Sequence, residues 1–279
     1  VSFEPDVDEV VDAALAEDLG DGDITCRLVV PADSRAEGLV VAKAHGVVAG
    51  LEVAKATFLK MDPEAVVVLE ARDGDRVEPG QVLARVQGRA APILSAERTA
   101  LNFVMLLSGI ATLTAEFVER IEGTGAVILD TRKTAPGLRM LQKYAVRMGG
   151  GSNHRMGLFD MVLVKDNHIR MAGGVRQAVE RAAGTEARPL VIEVEVTDLS
   201  EVEEALAAGA DRLLLDNMDI GTMKRAVDLA RGRAEVEASG GVTLDTVREI
   251  ALTGVDYISV GALTHSAPAL DVSLEVDLG

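Results

Sequence analysis

The stretch "LVIEVEVTDLSEVEEALAAGADRLLLDN", residues 190–217, decides the fold. It opens on an apolar run, 190–196, interrupted by Glu193 and Glu195. A strand buried on both faces reads this way. Residues 199–208 follow with a helical pattern, and Gly209 in "AGAD" suits a helix end. A second apolar run, "RLLLD", covers 212–216. Strand, helix and strand joined by short turns form the unit of a parallel sheet. The same rhythm extends both ways, with apolar runs at 126–130, 161–165, 234–239 and 256–260 and helical patterns at 175–187, 220–230 and 244–253. "TGVD" repeats the turn before the last run. All six runs end on or next to a polar residue: Asp130, Lys165, Glu195, Asp216, Ser239 and Ser259. A doubly wound sheet usually concentrates its site at one switch point, whereas a barrel collects residues from many strand ends. The pattern therefore predicts an α/β barrel. Six readable strands are fewer than eight, so the barrel is either incomplete or has strands the pattern does not show.

The chain before this region has a different rhythm. Helices are expected at 10–19 and 50–61, and strands at 36–44, 65–70 and 81–86. The turn signals Asp73-Gly74 and Pro79-Gly80 lie between them. This predicts an α+β sandwich. After Pro92, a long helical pattern begins with Ser95 as candidate N-cap and has Gly109 as a possible bend. The tail alternates Val272, Leu274 and Val276, which predicts a strand returning to the first domain. The expected domains are 1–107 together with the C-terminal strand 266–279, and 108–265 as the barrel.

Composition narrows the function. The chain has 279 residues, 48% of them hydrophobic, and a formal net charge of −17. Aromatics are 3% and Trp is absent, which disfavours base-stacking nucleic-acid modules. The acidic balance opposes nucleic-acid and anionic-membrane partners. No apolar run approaches the ~20 residues of a membrane span. The acidic start of the chain does not resemble a signal peptide. One cysteine, Cys26, forms no intrachain disulfide or thiolate cluster. A cytoplasmic location is expected.

Against that background, one region is positive. Residues 126–170 hold eight Lys and Arg against three Asp, or +5, while the remaining 20 Lys and Arg against 42 Asp and Glu give −22. A solvated charged face is the plain alternative for any charge run. Here, however, the cations fall at strand ends. "DTRKT" carries Arg132 and Lys133, "GGGSNHR" carries His154 and Arg155, and "VLVKDNH" carries Lys165. Several cations around one rim imply a small polyanionic ligand. Later strands supply carboxylates: Glu193 and Glu195, which read either as buried glutamates bound to barrel lysines or as groups that hold sugar hydroxyls, a divalent cation or a developing positive charge, and Asp216. "ASGGV" (Ser239, Gly240, Gly241) and "SVGALTH" (Gly261, His265) suit a phosphate held by backbone N–H groups. A phosphorylated sugar that reacts with a polyanion fits such a rim.

These stretches, "SAERTALNFVMLLSGIAT", "DTRKTAPGLR", "KYAVRMGGGSNHRMGLFDMVLVKDNH", "IEVEV", "LLLDNM", "EASGGV" and "ISVGALTHS", resemble the quinolinate phosphoribosyltransferase family. The resemblance runs from Ser95 to Ser266. It implies a sandwich domain joined to an atypical α/β barrel, assembled as a homodimer or a larger homo-oligomer. It also implies the reaction: quinolinate and phosphoribosyl pyrophosphate (PRPP) give nicotinate mononucleotide, pyrophosphate and CO2, with Mg2+. Quinolinate binding is carried onto Arg98, Arg132, His154, Arg155 and Lys165, and Lys133 lies near the pyrophosphate. The PRPP side is carried onto Glu195, Asp216, Ser239, Gly240, Gly241, Gly261 and His265. Lys165, Glu195 and Asp216 are the catalytic candidates, and Glu195 and Asp216 lie near Mg2+ held mainly by PRPP. The resemblance alone supplies Arg98, contributed across the subunit interface.

Three other readings compete. "DGDRVEPGQVLARV" looks like the turn of a lipoyl or biotinyl carrier, but no lysine follows at a hairpin tip. A Schiff-base aldolase could use Lys165. A pyrophosphorylase-like paralogue could use a different acceptor.

Overall fold

The computed structural model describes residues 7–184 and 190–277. In chain order the elements begin α1 (Val7–Leu19), α2 (Ile24–Val29), β1 (Arg35–Ala42), β2 (Gly46–Val47), α3 (Leu51–Met61), β3 (Val66–Leu69), β4 (Arg76–Val77), β5 (Val82–Arg89) and α4 (Ala90–Arg120). They continue with β6 (Val127–Leu129), α5 (Arg139–Met148), β7 (Val162–Val164), α6 (Asp166–Ala172), α7 (Val175–Ala183), β8 (Ile192–Val196) and α8 (Leu199–Ala208). The last are β9 (Arg212–Asp216), α9 (Ile220–Ala230), β10 (Glu235–Ser239), α10 (Val247–Ala251), β11 (Tyr257–Ser259), α11 (Ala262–His265) and β12 (Val272–Asp277). The helical pattern expected over 175–187 is α7 as far as Ala183, and residues 185–187 lie outside the described residues.

The chain divides into two compact units. The first takes 1–115, 134–150 and 263–279, and the second takes 116–133 and 151–262. The sequence boundaries at 107/108 and 265/266 differ from these. In particular, α5 groups with the first unit although barrel strands flank it in the chain.

The first unit is built on an antiparallel sheet of order β12-β1-β5-β3. The C-terminal strand pairs with β1, from Glu37 opposite Asp277 to Ala42 opposite Val272. Val40, Leu83, Val86, Leu51, Phe58, Ile93, Leu101 and Val104 fill the core beside it. The Asp73-Gly74 turn has a second task. The Asp73 carboxylate accepts the Gly50 and Leu51 N–H groups at 3.0 Å, which caps α3, and the Tyr144 hydroxyl of α5 at 2.8 Å.

Helix α4 corrects the sequence reading at both of its marked positions. It starts at Ala90, five residues before the expected cap at Ser95. Pro92 therefore sits in the first turn, where a missing N–H costs nothing. Ser95 lies inside the helix and its hydroxyl donates to Asp23 at 2.9 Å. Gly109 does not divide the helix. It lets the Pro268–Ala269 backbone approach so closely that an added Cβ would lie 2.1 Å from the Pro268 carbonyl oxygen. Helix α4 is long and apolar enough to cross a membrane, but most of its apolar window is buried within the protein.

The second unit carries six parallel strands in the order β6-β11-β10-β9-β8-β7. The two outer strands, β6 and β7, are consecutive in sequence. The sheet is thus an incomplete barrel with one open seam, and no pairing closes it among the described residues. At that seam the free edge of β6 bonds the 150–153 loop: Ser152 N–H donates to Ile128 O at 2.8 Å, and Asp130 N–H donates to Ser152 O at 3.2 Å.

Local chemistry sets the β/α rhythm. Asp198 caps α8 by accepting Glu201 N–H, Asp219 caps α9 by accepting Gly221 and Thr222 N–H, and Gly209 ends α8 at φ 89°. The aspartates of "AGAD" and "TGVD" do a further job. Asp211 accepts Ile192 N–H and Asp256 accepts Val236 N–H, each at 2.8 Å. Each one satisfies a strand-start donor on the neighbouring strand.

Candidate active site

The site of the second unit is built where its strands end. Asp130, just past β6, is fully buried. Its carboxylate accepts Asn153 Nδ2 at 2.5 Å and the His154 backbone N–H at 3.0 Å. The acid therefore pins the loop after the triple glycine. His154 turns inward and is 9% exposed. Its Nδ1 accepts the Arg155 N–H at 2.7 Å, and its Nε2 lies 2.9 Å from Glu193 Oε2 and 3.5 Å from Glu237 Oε2.

Arg132, Lys133 and Arg155 give this end its positive charge. Lys133 is exposed at the turn, where its N–H donates to Thr131 Oγ1 at 3.1 Å. Arg132 is half-buried and its Nε has no hydrogen-bond partner. Burial pulls the Arg155 guanidinium below its ordinary pKa, and the nearby positive charge of Arg132 adds to the effect. Two guanidinium groups held together in part from water are stabilised by an anion between them.

Lys165 projects from the end of β7, and its Nζ donates to Glu195 Oε2 on β8 at 2.8 Å. Its backbone N–H donates to His168 Nδ1 at 3.0 Å, so His168 serves the start of α6. Asp216 ends β9 and stands in register with Ser239 at the end of β10. The Asn217 N–H donates to Ser239 O at 2.9 Å, and Asn217 has a left-handed φ of 52°. Gly240 and Gly241 follow at φ 93° and 62°, and a Cβ on Gly240 would meet Asn217 Oδ1 at 2.2 Å. The glycine pair is therefore required by the backbone. Gly261 follows β11 and is half-buried.

The second unit thus holds Arg132, Lys133, Lys165, Glu195, Asp216, Ser239, Gly240, Gly241 and Gly261 at or just past its strand ends, and His154 and Arg155 in the loop beside β6. Arg98 on α4 and His265 on α11 belong to the first unit.

Beneath this rim lies a buried polar layer that the sequence reading found only in part. Glu193 and Glu237 are both fully buried. The Ser259 hydroxyl donates to Glu237 Oε1, and the Arg212 Nη1 lies 3.7 Å from Glu237 Oε2. Burial, reinforced by the charge of Glu193, pushes the Glu237 carboxyl up to about 8. Burial also raises Glu193. His154, Glu193 and Glu237 present ligand atoms within 4.8 Å of one another. Sequence reasoning missed Glu237 and Arg212. The available signal was a charge inside an apolar run, "AEVEAS", the mark already read at Glu193.

With this geometry in place, comparison with known proteins gives a consistent result. Residues 23–108 match the family model for the quinolinate phosphoribosyl transferase N-terminal domain, and residues 110–275 match that for the C-terminal domain. A nicotinate-nucleotide pyrophosphorylase [carboxylating] of Oryza sativa subsp. japonica, described as chloroplastic, is 47% identical over 98% of this chain and 78% of its own. A quinolinate phosphoribosyltransferase [decarboxylating] of Nicotiana tabacum is 46% identical over 98% of this chain and 83% of its own. The solved structure of the nicotinate-nucleotide pyrophosphorylase from Francisella tularensis superposes with a TM-score of 0.93, at 42% identity over 97% of this chain and 96% of that one. Two family models that divide the chain between them, and relatives close to half identical along almost all of it, leave one assignment: this chain belongs to the quinolinate phosphoribosyltransferase family.

Proposed function

We propose that this protein transfers the phosphoribosyl group of PRPP to the ring nitrogen of quinolinate and releases pyrophosphate and CO2, forming nicotinate mononucleotide for NAD biosynthesis. The observation that carries the reading is the division of the strand ends. Guanidinium and ammonium groups cluster after β6 and β7, carboxylates end β8 and β9, and a glycine turn follows β10. Arg132, Arg155 and Lys165 suit the two carboxylates of quinolinate, and Lys133 suits the pyrophosphate. The Ser239–Gly241 turn suits the 5′-phosphate.

The C1′–oxygen bond to pyrophosphate breaks as the ring nitrogen bonds to C1′. Glu195 and Asp216 stabilise the positive charge that develops on the ribose. The ribosylated nitrogen is cationic and accepts the electron pair released as the 2-carboxylate leaves as CO2, and a proton then takes its place on the ring. Bound Mg2+ would neutralise the departing pyrophosphate. The oxygen donors of Glu195 and Asp216 on adjacent strands are of the type Mg2+ prefers, so these two would flank an ion held mainly by the phosphates. The Lys165 Nζ is engaged by Glu195 at 2.8 Å, which favours anion binding over Schiff-base chemistry.

The reading includes a homodimer or larger homo-oligomer in which Arg98 reaches the site of the neighbouring subunit. The exposed apolar face of α2, with Ile24, Leu28 and Val29 61–74% exposed, suits a protein interface. The single cysteine, Cys26, fits a reducing, cytoplasmic compartment.

Incubation with quinolinate, PRPP and Mg2+ is expected to yield equal amounts of CO2 and nicotinate mononucleotide. Turnover of another acceptor with none of quinolinate would replace this reading with that of a paralogue.

A further inference from the structure

The buried layer beneath the rim contains an unsolved hydrogen-bond problem. Glu193 Oε1 and Glu237 Oε2 are both buried and have no donor among the protein groups around them. Burying two such acceptors unpaired is costly. The donors nearby are committed elsewhere or stand too far for a hydrogen bond. Ser259 donates to Glu237 Oε1. Arg212 directs its Nε and Nη2 to Glu235 at 3.1 and 2.7 Å, and its Nη1 stays 3.7 Å from Glu237 Oε2. His154 Nε2 is 3.5 Å from the same oxygen and directs its bond to Glu193 at 2.9 Å. The two carboxyl groups lie within side-chain hydrogen-bond reach of each other, and a single proton between them would supply the missing donor.

The histidine fixes the remaining proton. His154 Nδ1 accepts the Arg155 backbone N–H at 2.7 Å, so that nitrogen carries a lone pair. The ring proton is then on Nε2 and points to Glu193 Oε2 at 2.9 Å. Both ring nitrogens are therefore engaged within the protein.

We propose that Glu237 is a protonated positioning residue: its carboxylic acid donates to Glu193, Glu193 accepts from His154 Nε2–H, and His154 thereby fixes the backbone of Arg155 and aims its guanidinium at the acceptor's carboxylates. This inference deepens the functional reading and rests on it only for the role of Arg155. The buried acid near neutrality agrees with the upward shift of Glu237 to about 8. The titratable and charged groups facing Glu237 are Glu193 from β8, Arg212 from β9 and His154 from the seam loop, and the hydroxyl of Ser259 faces it from β11. Arg155 and Lys165 add positive charge on the side of Glu193. A divalent cation would also satisfy the two orphaned oxygens, but the Arg212 guanidinium already supplies positive charge 3.7 Å from Glu237.

The test uses the full-length protein and the isostere of a protonated glutamate, Glu237→Gln. Infrared difference spectroscopy at pH 7 is expected to show a protonated-carboxyl band in the wild type that Glu237→Gln lacks. Nitrogen NMR of His154 is expected to show the neutral Nε2–H tautomer in both. The KM for quinolinate is expected to rise by about tenfold in the wild type as Glu237 loses its proton at alkaline pH, and to stay flatter in Glu237→Gln. Absence of the carboxyl band, an imidazolium at His154, or stoichiometric metal bound by this layer would each overturn the proposal. An alkaline rise in KM unchanged by Glu237→Gln would do so as well. If quinolinate is not turned over at all, the functional reading fails, while the two spectroscopic results still decide the protonation of the buried layer.

Discussion

Lys165 and Glu195 form an ion pair at 2.8 Å, and the proposed reaction gives both of them a part. Substituting Lys165 by Ala removes a proposed quinolinate ligand and leaves Glu195 without that partner. The kcat/KM is expected to fall by about 10²-fold or more, as when a group contacting developing charge is lost. Steady-state kinetics on the purified variant checks this, and near-wild-type turnover would remove Lys165 from the mechanism. Glu237 gives a prediction about stability. Its carboxyl titrates at about 8 in the fold against an ordinary 4.5, so between those values the folded state holds more proton than the unfolded chain. That contribution is complete below pH 4.5 and is lost as the pH rises towards about 8. Urea midpoints are expected to fall over that interval for the wild type and to fall less for Glu237→Gln. At this scale the sequence was informative wherever a polar side chain ended an apolar run, as at Lys165, Asp216 and Ser239. It said less where a charge lay one layer deeper. Glu237 alternates with apolar neighbours just as a solvent-facing glutamate does, and only burial separates the two cases. Nothing in the local pattern marked Arg98, an exposed cation on a helix.

At the level of elements, α4 shows how packing overrides propensity. Gly to Ala inside a helix ordinarily stabilises by about 1 kcal/mol. At Gly109 the expected sign is opposite, because the new methyl would lie 2.1 Å from a backbone carbonyl that has no side-chain freedom to yield. Gly109→Ala is expected to lower unfolding free energy by about 1–3 kcal/mol, the usual cost of overpacking, in a denaturant titration. A stabilised variant would show that the helix and the 268–269 segment separate easily. The Gly240 turn carries the matching prediction for binding. Ala there must adopt φ 93° and displace Asn217, so the KM for PRPP is expected to rise by about tenfold or more with little change in the sheet. The helix and strand rhythm of 190–239 was readable to within a few residues because caps, glycines and apolar runs agree there. The start of α4 was not, because Ser95 has the chemistry of an N-cap but uses its hydroxyl on Asp23 instead.

On the scale of the whole molecule, the sequence supplied a parallel α/β unit and a returning tail, and the structure arranges six strands as an incomplete barrel with its seam between β6 and β7. Strand order was out of reach of the local pattern, since any of the six could have stood at the edge. The origin of Arg98 belongs to this scale too, because it asks how many chains build one site. If Arg98 serves the neighbouring subunit, Arg98→Ala and Lys165→Ala each abolish activity but damage different halves of a shared site. Mixing the two variants and allowing subunits to exchange makes half of the dimers mixed. Each mixed dimer then holds one site with both residues intact, and activity is expected to return to about one quarter of wild type. Mixtures that stay inactive after exchange has been verified by mass spectrometry would place Arg98 within its own subunit's site, and an Arg98→Ala variant active by itself would place it outside catalysis.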